Sequence, residues 1–224
     1  MPDTAIVTGG TGGLGVAVVE ALLARGTRVV VPWIAERELE RLPERDGLEL
    51  IQADLFDEAA VRTVVDRAGD GLRWLANLVG GFAMGQPVAT TPIDVFEEQL
   101  RLNLRPTYLM TAAAFPRIEA AGGGAIVCVS SRAALRPFAG AAGYCTSKAA
   151  VTTFAAVVAE EGKKAGVRCN AILPSVIDTP ANRKSMGDDA EMVPTAEIAS
   201  VVAHLLSDAS APTSGAAIPV YGKA

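Results

Sequence analysis

Between Thr4 and Tyr221 the chain alternates short runs rich in β-branched residues with longer stretches of helical period. No other feature constrains its fold as strongly. Strand-like runs fall at residues 4–8, 28–31, 48–52, 74–79, 125–130, 167–173 and 216–221. Helical stretches fall at 14–25, 36–42, 93–119, 143–165 and 195–206, with one more that Asp57 caps and that reaches about Arg67. Gly26 is placed to close the first helix, Pro32 to end the second strand and Pro106 to kink the long helix. Strands and helices alternating at these lengths read as βαβ units on a parallel sheet. Right-handed crossovers then put helices on both faces. The expected fold class is α/β: a single-domain, doubly wound parallel sheet over residues 1–224, with no repeat, low-complexity tract or linker to divide it.

In such sheets ligands sit beyond the C-terminal strand ends, at the point where strand order reverses. The candidate residues gather there: 9–15, Trp33, Asp54, 77–81, Ser130-Ser131 and 174–179. The first of these is a glycine run, Thr8-Gly9-Gly10-Thr11-Gly12-Gly13-Leu14-Gly15, between a strand and a helix. Glycines allow backbone amides to approach a pyrophosphate closely, and the helix N-terminus adds partial positive charge. The run fits GxGxxG, TGxxGxxG and TGxxxGxG at once. A flexible turn would also be glycine-rich, but the strand-to-helix context makes the sheet Rossmann-like and favours a dinucleotide.

Composition removes other classes. The chain has 224 residues, 50% of them hydrophobic and 20% charged, with a net charge of −5. That suits a well-buried core and argues against a nucleic-acid partner. No apolar run approaches the roughly 20 residues of a membrane span, and Met1-Pro2-Asp3 leads straight into a strand without the pattern of a signal peptide. Three cysteines without paired spacing suit a reducing, cytoplasmic setting and no zinc site. A single histidine, His204 in an apolar helical stretch, leaves no metal site built on histidines, and no nucleophile elbow accompanies it. Acid–base chemistry near neutral pH must then come from a tuned Tyr, Lys, Cys or carboxylate.

Ser131, Tyr144 and Lys148 supply such a group. Positions 144 and 148 share one face of a helix. Free tyrosine titrates near 10, and a neighbouring ammonium lowers that value. A tuned phenol could exchange a proton with an alcohol or carbonyl while a serine hydroxyl holds the same oxygen. A Tyr-x-x-x-Lys pair alone is common on helix surfaces.

Together these motifs resemble the short-chain dehydrogenase/reductase family. The likeness rests on the TGxxxGxG run, Tyr144-Cys145-Thr146-Ser147-Lys148, Ser131 upstream, and Asn170-Ala171-Ile172-Leu173-Pro174, and it covers essentially the whole chain. The resemblance implies an NAD(P)-dependent oxidoreductase that moves a hydride between nicotinamide and an alcohol or carbonyl compound. Tyr144 would be the acid/base, and Lys148 would bind the nicotinamide ribose and lower the tyrosine pKa. Ser131 would orient the substrate oxygen, and Asn103 would hold a relay water. Gly9, Thr11, Gly13, Leu14, Gly15, Trp33, Asp54, Leu55, Asn77 and Gly80 would bind cofactor with Tyr144 and Lys148. Pro174, Ile177 and Thr179 would border the carboxamide. A homodimer or homotetramer is also implied.

The chain departs from the family pattern at Leu78, at Ser175 and at Trp33, which stands where an acid often binds the adenosine ribose. With no acid there to repel a 2′-phosphate, the cofactor reading is NADP or NAD, leaning to NADP, with Arg37 the nearest phosphate partner. Gly81, Phe82, Met84, Arg132, Ala133, Phe138 and Ala139 suggest a mostly apolar substrate pocket. Residues 180–194, with Asn182, Gly187, Asp188 and Asp189, suggest turns and an open site. A nucleotide-binding regulator or structural oligomer of the same fold, without turnover, is the alternative; all three catalytic-type side chains are present and weigh against it.

Overall fold

A computed structural model describes residues 3–42, 44–187 and 189–223. Met1, Pro2 and Asp188, which entered the readings above, lie outside the described residues. The strands are β1 (Thr4–Thr8), β2 (Arg28–Trp33), β3 (Leu48–Gln52), β4 (Leu72–Asn77), β5 (Gly124–Val129), β6 (Val167–Pro174), β7 (Ile177–Asp178), β8 (Val193–Pro194) and β9 (Ala217–Val220). The helices are α1 (Gly13–Leu23), α2 (Glu58–Ala68), α3 (Ile93–Ala120), α4 (Ala142–Gly162), α5 (Pro180–Met186) and α6 (Thr195–Leu206). Seven strands form one parallel sheet in the order β3-β2-β1-β4-β5-β6-β9, so the order reverses beside β1. This is the doubly wound, Rossmann-like sheet expected.

Alternation along the strands separates two cores. Ala5, Val7, Val29, Val31, Ala125 and Val127 pack towards α1 and α6. Ile6, Val30, Ile126 and Cys128 face α2, α3 and α4. A strand covered on both faces reads as an unbroken apolar run, as β1 does. Helix α1 buries Val18, Val19 and Leu22 against its face, at about 1.5–3 kcal/mol for each side chain. It ends where the Gly26 amide donates to Leu23 O and that of Thr27 to Leu22 O, with Gly26 at φ +78°. Asp57 caps α2 by accepting from the Ala59 amide.

Two expectations need correcting. Strand β2 does not stop at Pro32: it runs to Trp33, paired with Gln52. Even-numbered amides of β2 point to β1, as Arg28 does to Asp3 O, and β1 pairing ends at Val30. The next amide of that ladder would be that of Pro32, so β1 pairing stops there, while odd-numbered amides carry the pairing with β3 on to Trp33. Helix α3 spans the length expected of it, with Pro106 and Pro116 inside. Residues 180–186 form α5 and 193–194 form β8, so among the described residues the turns expected across 180–194 are confined to 187 and 189–192. Thr179 accepts from the Asn182 amide, Pro180 opens α5, and Arg183 grips Asp178 through two bonds of 2.7 Å. Val193 is buried in the short β7–β8 pair.

Candidate active site

All seven strands of the main sheet end at one edge, and two hollows open there on either side of the switch point. The smaller, about 170 Å³, is lined by Gly9, Thr11, Trp33, Leu55, Phe56 and Glu38, among others. Helix α1 begins beside it. The Val16 amide is the first to return, to Gly12 O. The amides of Gly13, Leu14 and Gly15 thus head the helix, where a negative group is favoured.

Several glycines are required by close approach. A Cβ on Gly13 would lie 2.7 Å from Thr179 Cγ2, and one on Gly15 would lie 2.0 Å from Gly9 O. Leu14 contributes only backbone, because its side chain is buried against the sheet. Trp33 and Leu55 open onto this hollow as expected. Asp54 does not: its exposed carboxylate accepts from the Phe56 amide and shapes the turn that presents Leu55 and Phe56. Asn77 also turns away. It is buried and donates to Thr111 Oγ1 of α3 at 2.9 Å, while Thr8 Oγ1 takes the Leu78 amide. That hydroxyl holds the turn despite the apolar residue at position 78.

Glu38 and Phe56 were not foreseen. Glu38 accepts from the Thr11 hydroxyl at 2.7 Å, and Arg41 lies 3.5 Å from its other oxygen. Arg37 is exposed and does not line the hollow.

The larger hollow, about 680 Å³, contains Ser131 and Tyr144. Ser131 lies two residues beyond β5 and caps the 3-10 turn Arg132–Ala134 by accepting from the Ala133 amide at 3.2 Å. Tyr144 sits in the first turn of α4, and Phe82 meets its ring edge-on at 4.9 Å between centroids. Burial pushes the Tyr144 phenol above its ordinary value, and the Ser131 hydroxyl pulls the other way.

Lys148, one turn along, is buried. Its ammonium donates to Val129 O at 3.0 Å and lies 6.0 Å from the Tyr144 ring centroid. Burial lowers it to about 8. The expected depression of the tyrosine by Lys148 is therefore not met in the chain alone: desolvation raises the phenol, and it is the Ser131 hydroxyl that opposes it.

Asn103 is fully buried in α3. Its Oδ1 accepts from the Gly81 amide at 3.0 Å, and its Nδ2 donates to Gly81 O and Gln99 O. Gly80 passes so close that a Cβ would meet Asn103 Oδ1 at 2.6 Å and Lys148 Nζ at 3.0 Å. Asn103 thus fixes the loop over Lys148, and both its amide protons are already engaged.

Pro174 is buried at the end of β6, while Ile177 and Thr179 lead to the wall between the hollows. Of the anticipated pocket residues, Phe82, Met84, Arg132, Ala133 and Phe138 line the larger hollow. Gly81 and Ala139 do not. Arg136, Ser175, Val176, Asn182, Ser185 and Met186 were missed. His204 is exposed on α6 and lines neither hollow.

A glycine-walled cradle at the switch point opens beside half-buried Ser131 and Tyr144 and buried Lys148, on the edge of a Rossmann-like α/β sheet. The chain belongs to the short chain dehydrogenase family, which it matches over residues 3–190. It is 34% identical over 192 residues to 2-(R)-hydroxypropyl-CoM dehydrogenase of Xanthobacter autotrophicus, covering 80% of this chain and 76% of that one. It is 32% identical to L-xylulose reductase of Bos taurus, covering 97% and 94% respectively. A solved structure of a short chain dehydrogenase/reductase family protein superposes with a TM-score of 0.91 at 30% identity, over 98% of this chain and 96% of the other. The protein is an NAD(P)-dependent oxidoreductase of small molecules. Among the described residues no helix is long and apolar enough to cross a membrane.

Proposed function

We propose that the protein interconverts an alcohol and a carbonyl compound, with Tyr144 as general acid and base. The observation that carries this reading is convergence. The Ser131 hydroxyl and the Tyr144 phenol share one wall of a single hollow, with Lys148 one turn below. In reduction the Tyr144 O–H donates its proton to the developing alkoxide, while the Ser131 hydroxyl donates a hydrogen bond to the same oxygen. Lys148 binds the ribose side of the cofactor and re-supplies charge near the phenol. Asn103 acts by holding the loop at Gly80 and Gly81 over Lys148.

The cradle fits a dinucleotide. Gly9 and Thr11 wall the adenosine hollow, and Cβ atoms on Gly13 and Gly15 would strike neighbouring atoms. The pyrophosphate belongs at the Gly13, Leu14 and Gly15 amides. Trp33, Leu55 and Phe56 take the adenosine, and Pro174, Ile177 and Thr179 border the carboxamide. When bound, the nicotinamide supplies or accepts the hydride and, oxidised, adds positive charge near the phenol.

The Glu38 carboxylate in the adenosine hollow moves the cofactor reading from NADP towards NAD. It can accept from a ribose 2′-hydroxyl and repels a 2′-phosphate. Residues 1–224 act as one catalytic unit in this reading. A cytoplasmic setting accords with cysteines 128, 145 and 169, all free and buried.

Self-association goes with the same reading. On the α3–α4 face Tyr108 is 54% and Val157 48% exposed, which leaves apolar surface for a second copy. Light scattering tests that point. The function is tested by following nicotinamide absorbance with a panel of ketones and aldehydes. Turnover that survives Tyr144→Phe would overturn the role assigned to that residue.

A further inference from the structure

We propose that the substrate carries an oxoanion, a carboxylate, sulfonate or phosphate, bound by Arg132 and Arg136 in the larger hollow that also holds Tyr144. This rests on the oxidoreductase reading above and names the substrate class for the same site.

The chain as a whole is acidic, at −5, yet the lining of this hollow holds two arginines and no Asp or Glu. Elsewhere the arginines are mostly occupied. Arg28, Arg73, Arg117 and Arg183 pair with carboxylates, and Arg25 and Arg168 donate to backbone carbonyls. Arg132 and Arg136 enter no ion pair with a described residue, and their guanidinium groups make no hydrogen bond to one. Arg132 is half-buried, with its guanidinium over the Tyr221 ring at 5.4 Å, so it is held in place while its N–H groups stay free. The Arg136 amide donates to Arg132 O at 2.9 Å, which sets the two residues one turn apart.

Their position gives the pair a role in the reaction. Arg132 directly follows Ser131, so one short segment fixes both the reacting oxygen and the anion. Phe82, Met84, Phe138 and Val176 supply an apolar wall for the body of the substrate. The forked guanidinium matches an oxoanion in two-point geometry. The cofactor phosphates do not account for the pair, since neither arginine lines the adenosine hollow.

The test compares 4-carboxybenzaldehyde with its neutral isostere 4-formylbenzamide, with the sulfonate and phosphate counterparts as further arms. The wild-type enzyme should show kcat/KM at least tenfold higher for the best anionic member, with the difference carried by KM and shrinking as salt rises. The anionic-to-amide ratio should fall below about threefold in Arg136→Gln, an exposed position that does not threaten folding, and in Arg132→Gln. Equal efficiency on charged and neutral members, or a ratio unchanged in both variants, overturns the proposal while leaving the oxidoreductase reading intact. If no carbonyl compound is turned over with either cofactor, that reading fails instead. Calorimetric binding of terephthalate then decides the anion site: loss in Arg136→Gln supports it, and no binding to the wild-type protein overturns it.

Discussion

The methyl group of Thr179 lies where a side chain on Gly13 would have to go, 2.7 Å from the Cβ position. The head of α1 and the segment after β6 are thereby held in direct contact, and this contact lies at the wall between the two hollows. Gly13→Ala should push the two apart. We expect cofactor affinity to fall at least tenfold, about 1.4 kcal/mol, by calorimetry. Adding Thr179→Ser, which keeps the cap on Asn182 and removes Cγ2, should recover most of that loss. An affinity unchanged in Gly13→Ala would refute the contact.

Tyr144→Phe removes the hydroxyl that shares the hollow with Ser131. Turnover should drop by about 10²–10⁴-fold, with cofactor binding near that of the wild type. Steady-state rates together with calorimetry on the same preparation measure both quantities.

The direction of the reaction should follow pH. Burial raises the Tyr144 pKa, so the phenol keeps its proton through neutral pH. Carbonyl reduction, which consumes that proton, should hold its rate at pH 7 and decline in alkaline solution. Alcohol oxidation needs the phenolate and should accelerate as pH rises. Parallel pH profiles of kcat in the two directions test the sign.

Lys148 is costly to the fold. Its pKa falls from an ordinary 10.5 to about 8 through burial, so the unfolded chain binds more protons between those values and stability rises with pH across that window. Below about pH 8 the full cost, roughly 3 kcal/mol, is present. Lys148→Met should therefore raise the melting temperature at pH 7 while abolishing turnover, and the gain should shrink as pH approaches 10.5. A variant less stable than the wild type at pH 7 contradicts this.

Glu38 should govern cofactor choice. NADH should bind more than tenfold tighter than NADPH, and Glu38→Gln should narrow that ratio by weakening NADH and relieving repulsion of the 2′-phosphate. A wild-type enzyme that prefers NADPH would return the assignment to the one first suggested by Trp33.

The alternation of runs was enough to read the sheet, because residues covered on both faces must be apolar throughout, as Ala5, Ile6 and Val7 are. The pairing of Tyr144 with Lys148 was equally legible, since helical spacing sets the two on one face of α4, and Ser131 reaches the same hollow because β5 ends at its rim. What escaped depended on where side chains turn after an element ends. Asn77 sits at the end of β4 but bonds to Thr111 of α3, a partner distant in sequence. Glu38 lies among Glu36 and Glu40, and only the 3-10 phase of residues 36–41 selects the acid that meets Thr11. Residues 180–194 are polar enough to read as turns. The α5 helix and the β7–β8 pair within that stretch come from the Thr179 cap, the Arg183–Asp178 pair and the burial of Val193.

Trp33 at the mouth of the adenosine hollow has a consequence for observing the protein. The chain has two tryptophans, and the other, Trp74, packs inside the sheet on the core side of β4. On the proposed binding mode, an adenine entering the smaller hollow would perturb the emission of one indole and leave the other as a reference. The molecule would then carry an intrinsic optical gauge of nucleotide occupancy, separate from the nicotinamide chromophore. Trp33→Phe would extinguish the gauge without touching the group that moves the proton.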